Sequence, residues 1–164
     1  MKRRGALMLG GAGLLSLLAG CATPAGTPRS AEGGAWSGRL SLRVEGDQNQ
    51  SFAALFELRG APEAGELVLT SPIGSTLAQL HWAPGEALLR NGSETRRYES
   101  VDALIVAATG AAIPVGALFA WLAGRDEAVP GWRPDLSQVD AGRLQATRES
   151  PAPRADLRIV FERA

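Results

Sequence analysis

Glu66-Leu67-Val68-Leu69-Thr70-Ser71-Pro72-Ile73-Gly74-Ser75-Thr76-Leu77-Ala78-Gln79-Leu80-His81-Trp82 holds two strand-length segments on either side of one turn-forming cluster. Leu67 and Leu69 alternate with Glu66, Val68 and Thr70, and Ala78, Leu80 and Trp82 alternate with Leu77, Gln79 and His81. A period of two is the mark of a strand with one buried face. His81, the one histidine, falls on the opposite parity and reads as a solvent-side strand residue. Between the strands, Ser71, Pro72, Gly74 and Ser75 are ordinary turn residues, but Ile73 is not. The residues alone favour an isoleucine folded back onto its own core. The other reading is an exposed apolar tip, which in a membrane-tethered protein could dip into the bilayer.

The alternation extends outward in both directions. From Trp36, Leu40, Leu42 and Val44 alternate with Arg39, Ser41 and Arg43, and a polar turn follows at Gly46-Asp47-Gln48-Asn49-Gln50. Phe52, Ala54, Phe56 and Leu58 form a second strand, whose other face Ala53 and Leu55 make partly apolar. Gly60-Ala61-Pro62 turns the chain into the quoted pair. After it, Ala83-Pro84-Gly85 leads to Glu86–Arg90, and Asn91-Gly92 is a two-residue hairpin signal before Glu94–Tyr98.

The period then changes. Ser100 can cap a helix from Val101 to about Thr109, with Asp102 in its first turn and Gly110 as its stop. Pro114 fits the first turn of a second helix to about Ala123, where Leu118, Trp121 and Leu122 share one face. Short strands return at Gly131-Trp132, Arg143–Arg148 and Asp156–Phe161. Strands, a helical insertion and strands again predict an antiparallel sheet with helices packed on one face. The inward positions line a common apolar surface, and pattern alone favours a filled core over a cavity.

The N-terminus has three zones. Lys2, Arg3 and Arg4 are basic, Gly5 to Gly20 carries no charge, and Leu18-Ala19-Gly20-Cys21 resembles the cleavage signal of lipoprotein signal peptidase. The apolar run is short for a bilayer-crossing helix, which needs roughly 20 residues. Cys21 is the single cysteine, so acylation explains it better than a disulfide. An uncleaved anchor before an unmodified cysteine is the weaker alternative. The expected organisation is a signal peptide over 1–20, an acylated anchor and flexible tether over 21–35, and one β domain over 36–164. Ala22 after the cysteine fits the enteric sorting rule for the outer membrane.

Composition excludes much chemistry. Without residues 1–20 the chain has 14 basic and 17 acidic side chains and no lysine, since Lys2 is the only one. That balance gives no electrostatic case for nucleic acid. No phosphate-loop lysine or Schiff base is available, and no Gly-x-Ser-x-Gly elbow occurs. With one histidine and one cysteine, a metal cluster would have to be carboxylate-built, and no acidic cluster is evident. The expectation is a protein that is not an enzyme and carries no metal or cofactor.

Leu67–Thr76, with its leucine-rich strand and Thr-Ser-Pro-Ile-Gly-Ser segment, resembles the LolB family of outer-membrane lipoprotein receptors. Trp36-Ser37-Gly38-Arg39-Leu40 is similar to that family's Gly-Arg-led first strand, and Pro114 through Leu118, Trp121, Leu122 and Gly124 to its Pro-led helix. The resemblance covers Trp36 to Arg125 well and the tail more weakly. It implies a mostly β fold with a helical insertion, an incomplete antiparallel β-barrel whose hydrophobic cavity is closed by helices. Cavity candidates are then Leu40, Leu42, Phe52, Phe56, Leu67, Leu69, Ala78, Leu80, Trp82, Leu118, Trp121 and Leu122. The resemblance also makes Pro72, Ile73 and Gly74 a membrane-insertion loop with Ile73 protruding. It implies acylated lipoprotein cargo received from the periplasmic carrier LolA, outer-membrane lipid as the destination, and a monomer on the periplasmic face. The alternative is a structural or accessory envelope-assembly lipoprotein with a filled core and a protein-binding surface; binding of an acyl probe separates the two.

Overall fold

The computed structural model describes residues 33–46 and 50–164. The signal segment, Cys21, most of the tether and the middle of the first polar turn lie outside the described residues. Nine strands form one sheet: β1 (Gly34–Glu45), β2 (Gln50–Gly60), β3 (Gly65–Thr70), β4 (Thr76–Ala83), β5 (Glu86–Asn91), β6 (Glu94–Arg97), β7 (Trp132–Asp135), β8 (Arg143–Arg148) and β9 (Arg154–Arg163). Helices α1 (Val101–Thr109) and α2 (Val115–Leu122) occupy the connection from β6 to β7. The spatial order is β6-β5-β4-β3-β2-β1-β9-β8-β7, with every pairing antiparallel. The edge strands β6 and β7 do not pair, so the sheet is an incomplete barrel.

The alternation expected along β1 and β2 is what the sheet uses. Leu42 and Val44, then Ala54, Phe56 and Leu58, are buried, while Arg39, Ser41 and Arg43 face outward. β9 joins the other side of β1 in register Leu40↔Ile159 and Leu42↔Leu157, placing Ala155, Leu157, Ile159 and Phe161 on the same inner face. A glycine makes this junction possible. A Cβ on Gly38 would collide with the carbonyl oxygen of Val160 and lie 2.8 Å from the Phe161 Cα. Gly38→Ala is therefore expected to destabilise the fold by about 1–3 kcal/mol, the usual cost of overpacking. A denaturation midpoint equal to that of the native chain would disprove the close contact.

The helices are held by the devices their sequences suggest, and by two they do not. The Ser100 hydroxyl accepts from Ala103 N at 3.1 Å, and Gly110 ends α1 at φ 78°. Pro114 proves to be the residue flanking α2, in extended conformation, and not within its first turn. Asp102 does more than sit favourably in the first turn of α1: its Oδ1 accepts from Val115 N at 3.3 Å, tying the start of α2 to α1. At the other end, Arg163 Nη2 donates to the carbonyl of Leu122 at 3.2 Å, so β9 satisfies one open carbonyl of α2.

Helix α2 buries Val115, Ala117, Phe119, Ala120, Trp121 and Leu122. A helix apolar on nearly every side belongs in an interior. Phe119 meets Trp36 and Trp82 edge-on, at ring-centre distances of 5.6 and 6.3 Å, a favoured aromatic geometry. Helix α1 is held more lightly, burying Leu104 and Ile105 against β4 and β5.

Candidate functional site

The loop between β3 and β4 is short and internally bonded. Gly74 N donates to Ser71 O at 2.9 Å, Ser71 N to Ser75 O at 2.8 Å, and Ser75 N to Ser71 Oγ at 3.1 Å. Proline second and glycine fourth in such a turn follow the common preference, because proline pre-sets its φ. Gly74 adopts φ 89°, where a side chain is strained, although open space surrounds it. Every backbone group that closes the loop is thus spoken for by the loop itself. Ile73 rides on top, 89% exposed. The fold-back favoured by the residues alone does not occur, because a four-residue turn this tight gives the third side chain no route to the core.

Ile73, Val106 and Val160 are the exposed large hydrophobics among the described residues. Strand pairing sets what shares the end of the barrel with Ile73. The β1–β2, β5–β6 and β8–β9 hairpins all turn there, because β4 starts where β3 ends and the pairings are antiparallel throughout.

The twelve interior candidates separate into two groups. Leu42, Phe56, Leu67, Leu69, Ala78, Leu80, Trp82, Trp121 and Leu122 belong to the buried core, whereas Leu40, Phe52 and Leu118 are partly buried against it. Sheet and helices therefore meet through close side-chain packing. Trp82 Nε1 donates to Ala61 O at 3.1 Å and Trp121 Nε1 to Glu127 O at 3.0 Å, which fixes both rings. Open space begins at the rim. A cleft of about 470 Å³ lies between the C-terminal end of α1 and the start of β2, lined by Leu42, Val44, Phe52, Ala107, Thr109 and Gly110 together with Gln50 and Ser51. Its volume lies within the range of small-ligand sites, about 300–1,000 Å³. Leu42 and Phe52 are the two candidates that the cleft reaches.

The sequence family described as Outer membrane lipoprotein LolB matches residues 35–161. The chain belongs to the LolB family. It is 32% identical to the outer-membrane lipoprotein LolB of Bordetella petrii over 176 aligned positions, covering 91% of this chain and 88% of that protein. The LolB of Bordetella pertussis is 36% identical over 175 positions, with 90% and 88% covered. That of Yersinia pseudotuberculosis is 34% identical over 101 positions, covering 60% of this chain and 46% of that protein. The family match runs into β9, ending at residue 161, so most of the tail, weakest in sequence resemblance, is part of the LolB domain.

Sequence reasoning missed two residues, one in the packed interior and one at its rim. Phe119 lay off the helix face marked by Leu118, Trp121 and Leu122, yet it packs between two tryptophans; its signal was the nearly unbroken apolar run Val115–Leu122. Ala107 borders the cleft although it is exposed, and nothing in its residue type marks it.

Proposed function

We propose that this chain receives acylated lipoproteins from the periplasmic carrier LolA and inserts them into the outer membrane, to which Cys21 anchors it on the periplasmic face. The observation that carries this reading is Ile73, 89% exposed at the tip of a self-bonded loop. Seating that side chain in a bilayer recovers roughly 1.5–3 kcal/mol, enough to hold the barrel end against lipid while cargo leaves. Acylation at Cys21 keeps the domain near the same surface, and two or more acyl chains give stable anchoring. The working unit is a monomer.

The cargo's acyl chains enter at the cleft between α1 and β2. Exposed to water, each methylene costs about 0.8 kcal/mol, so a receptor needs only apolar surface that the carrier does not match. Behind Leu42 and Phe52 lies the packed core, and α1, with two buried side chains against six in α2, is the element whose displacement uncovers it at least cost. Transfer runs downhill in affinity from carrier to receptor to bilayer and requires no nucleotide; a tenfold step needs about 1.4 kcal/mol.

A transfer assay tests the route. Carrier loaded with a fluorescent-acyl lipoprotein is mixed with the chain, and the cargo is followed. Ala107→Trp places an indole at the cleft mouth on an exposed helix position. It is expected to slow receipt about tenfold, the effect of weakening the acyl contact by about 1.4 kcal/mol. Unchanged receipt removes the cleft as the entry.

The close packing of nine interior candidates favours a second reading, a structural envelope lipoprotein with a filled core and a protein-binding surface. Saturable binding of a fluorescent fatty acid excludes it, and absence of binding supports it.

A further inference from the structure

The outer face of the sheet carries a groove that the acyl route does not use. It has a volume of about 510 Å³ and crosses β2, β1 and β9. Ala53, Leu55 and Val160 supply apolar surface, Arg39 and Arg158 supply charge, and Pro72 of the Ile73 loop forms one wall. Among the described residues, no acidic one lines it.

The strand register explains the arrangement. Arg39 stands opposite Val160 on β9 and Leu55 on β2, and Ser41 stands opposite Arg158. Arg39 and Arg158 are therefore diagonal neighbours on one face, about 7–8 Å apart at the backbone, close enough for two long side chains to converge on one anion. The Arg39 guanidinium has no ion pair or hydrogen bond among the described residues. Arg158 is engaged through Nε with Asp156 at 2.8 Å, and that carboxylate also accepts from Gln145. Val160, 58% exposed beside the two cations, would otherwise hold an isopropyl-sized apolar surface in water for no packing gain.

We propose that this groove binds an anionic phospholipid of the membrane, its phosphate between Arg39 and Arg158 and its first methylenes over Val160 and Leu55. Charge complementarity selects an anion, the apolar floor selects an amphiphile, and continuity with Pro72 places the groove against the surface that Ile73 enters. The inference rests on the reading that the Ile73 loop faces lipid. A guanidinium near an anionic membrane contributes an attraction equivalent to about fivefold in affinity, so the pair converts a loop that touches any bilayer into one that prefers acidic lipid.

The test uses the full acylated chain in detergent micelles, with retained lipid counted by native mass spectrometry after addition of dioleoylphosphatidylglycerol or dioleoylphosphatidylethanolamine. One phosphatidylglycerol is expected to be retained, at least tenfold more than phosphatidylethanolamine. Arg39→Gln with Arg158→Gln, and separately Val160→Asp, are expected to abolish that preference. Arg125→Gln with Arg133→Gln removes equal charge outside the groove and is expected to preserve it. Ile73→Glu is also expected to preserve it, which separates failure of the groove from failure of the insertion loop. Equal retention of both lipids overturns the proposal, as does an unaltered preference in both groove variants. Loss in Ile73→Glu as well would place the lipid on the loop and overturn it too. Displacement by millimolar inorganic phosphate would show a site for the bare anion and overturn the assignment to a lipid.

Discussion

Ile73→Glu is expected to leave the fold and the receipt of cargo intact while delivery to liposomes falls by more than an order of magnitude. The loop supports this separation. Its hydrogen bonds run between Ser71, Gly74 and Ser75, and the Ile73 side chain takes part in none of them. An 89% exposed side chain carries little folding energy, and surface substitutions of this kind usually stay within about 0.5 kcal/mol. Membrane contact is another matter. Removing an isoleucine from lipid forfeits roughly 2 kcal/mol, about thirtyfold in a partition constant, and a carboxylate adds a desolvation cost on top. The experiment follows the same labelled cargo twice, from carrier to receptor and from receptor to liposome. Native delivery by a correctly folded Ile73→Glu chain would remove the loop from the mechanism. An unacylated chain should still deliver some cargo, because the anchor raises local concentration and the loop makes the contact.

Trp121→Ala should cause the largest loss of stability of any single change in the domain. Trp121 is fully buried, and its ring lies 6.1 Å from that of Trp132. Its Nε1 binds the carbonyl of Glu127, pinning the segment that leaves α2. Truncation of a buried tryptophan costs about 3–5 kcal/mol, a large share of the 5–15 kcal/mol that holds a typical domain together. Urea denaturation of the Trp121→Ala chain should show a correspondingly lowered midpoint. Trp121→Phe should lose much less, since it keeps most of the ring and gives up one hydrogen bond of about 1 kcal/mol. The measurement also bears on function. A near-native midpoint for Trp121→Ala would mean that the interior is loosely filled at rest, as an open acyl cavity requires. A steep loss means that cargo must displace packed side chains to enter.

That second outcome changes how interior variants are chosen. Leu80→Asn would be a direct probe of acyl binding if Leu80 lined an open cavity. Leu80 is instead fully buried within the core cluster, so an asparagine there buries an amide without a designed partner and first tests folding. On the proposed route, Phe52 and Ala107 at the rim would report on cargo more directly.

The elements themselves were legible because each rests on local physics. Alternation along Leu40–Val44 and Leu67–Leu69 marks faces, Asn91-Gly92 marks a hairpin, and Ser100 and Gly110 bracket a helix through bonds made within one turn. The Ser-Pro-Ile-Gly-Ser loop was visible as an oddity. Whether its isoleucine folded inward depended on the closure of the turn, which residue types alone do not specify.

Sequence by itself determined the strand and helix segments, which side of each strand is apolar, and the family, since all three reside in residue order. Tertiary structure alone decided that β9 lies against β1, that Phe119 wedges between Trp36 and Trp82, and that most interior candidates are packed. It also brought Arg39, Leu55, Pro72 and Val160 from four segments to one groove. The physical reason is the same in each case. Alternation states that a side chain is on the apolar face, but not what stands opposite, and both packing and binding depend on the opposite partner. Ile73 faces solvent in place of a partner within the protein, and that exposure turns a loop residue into the proposed point of contact with the membrane.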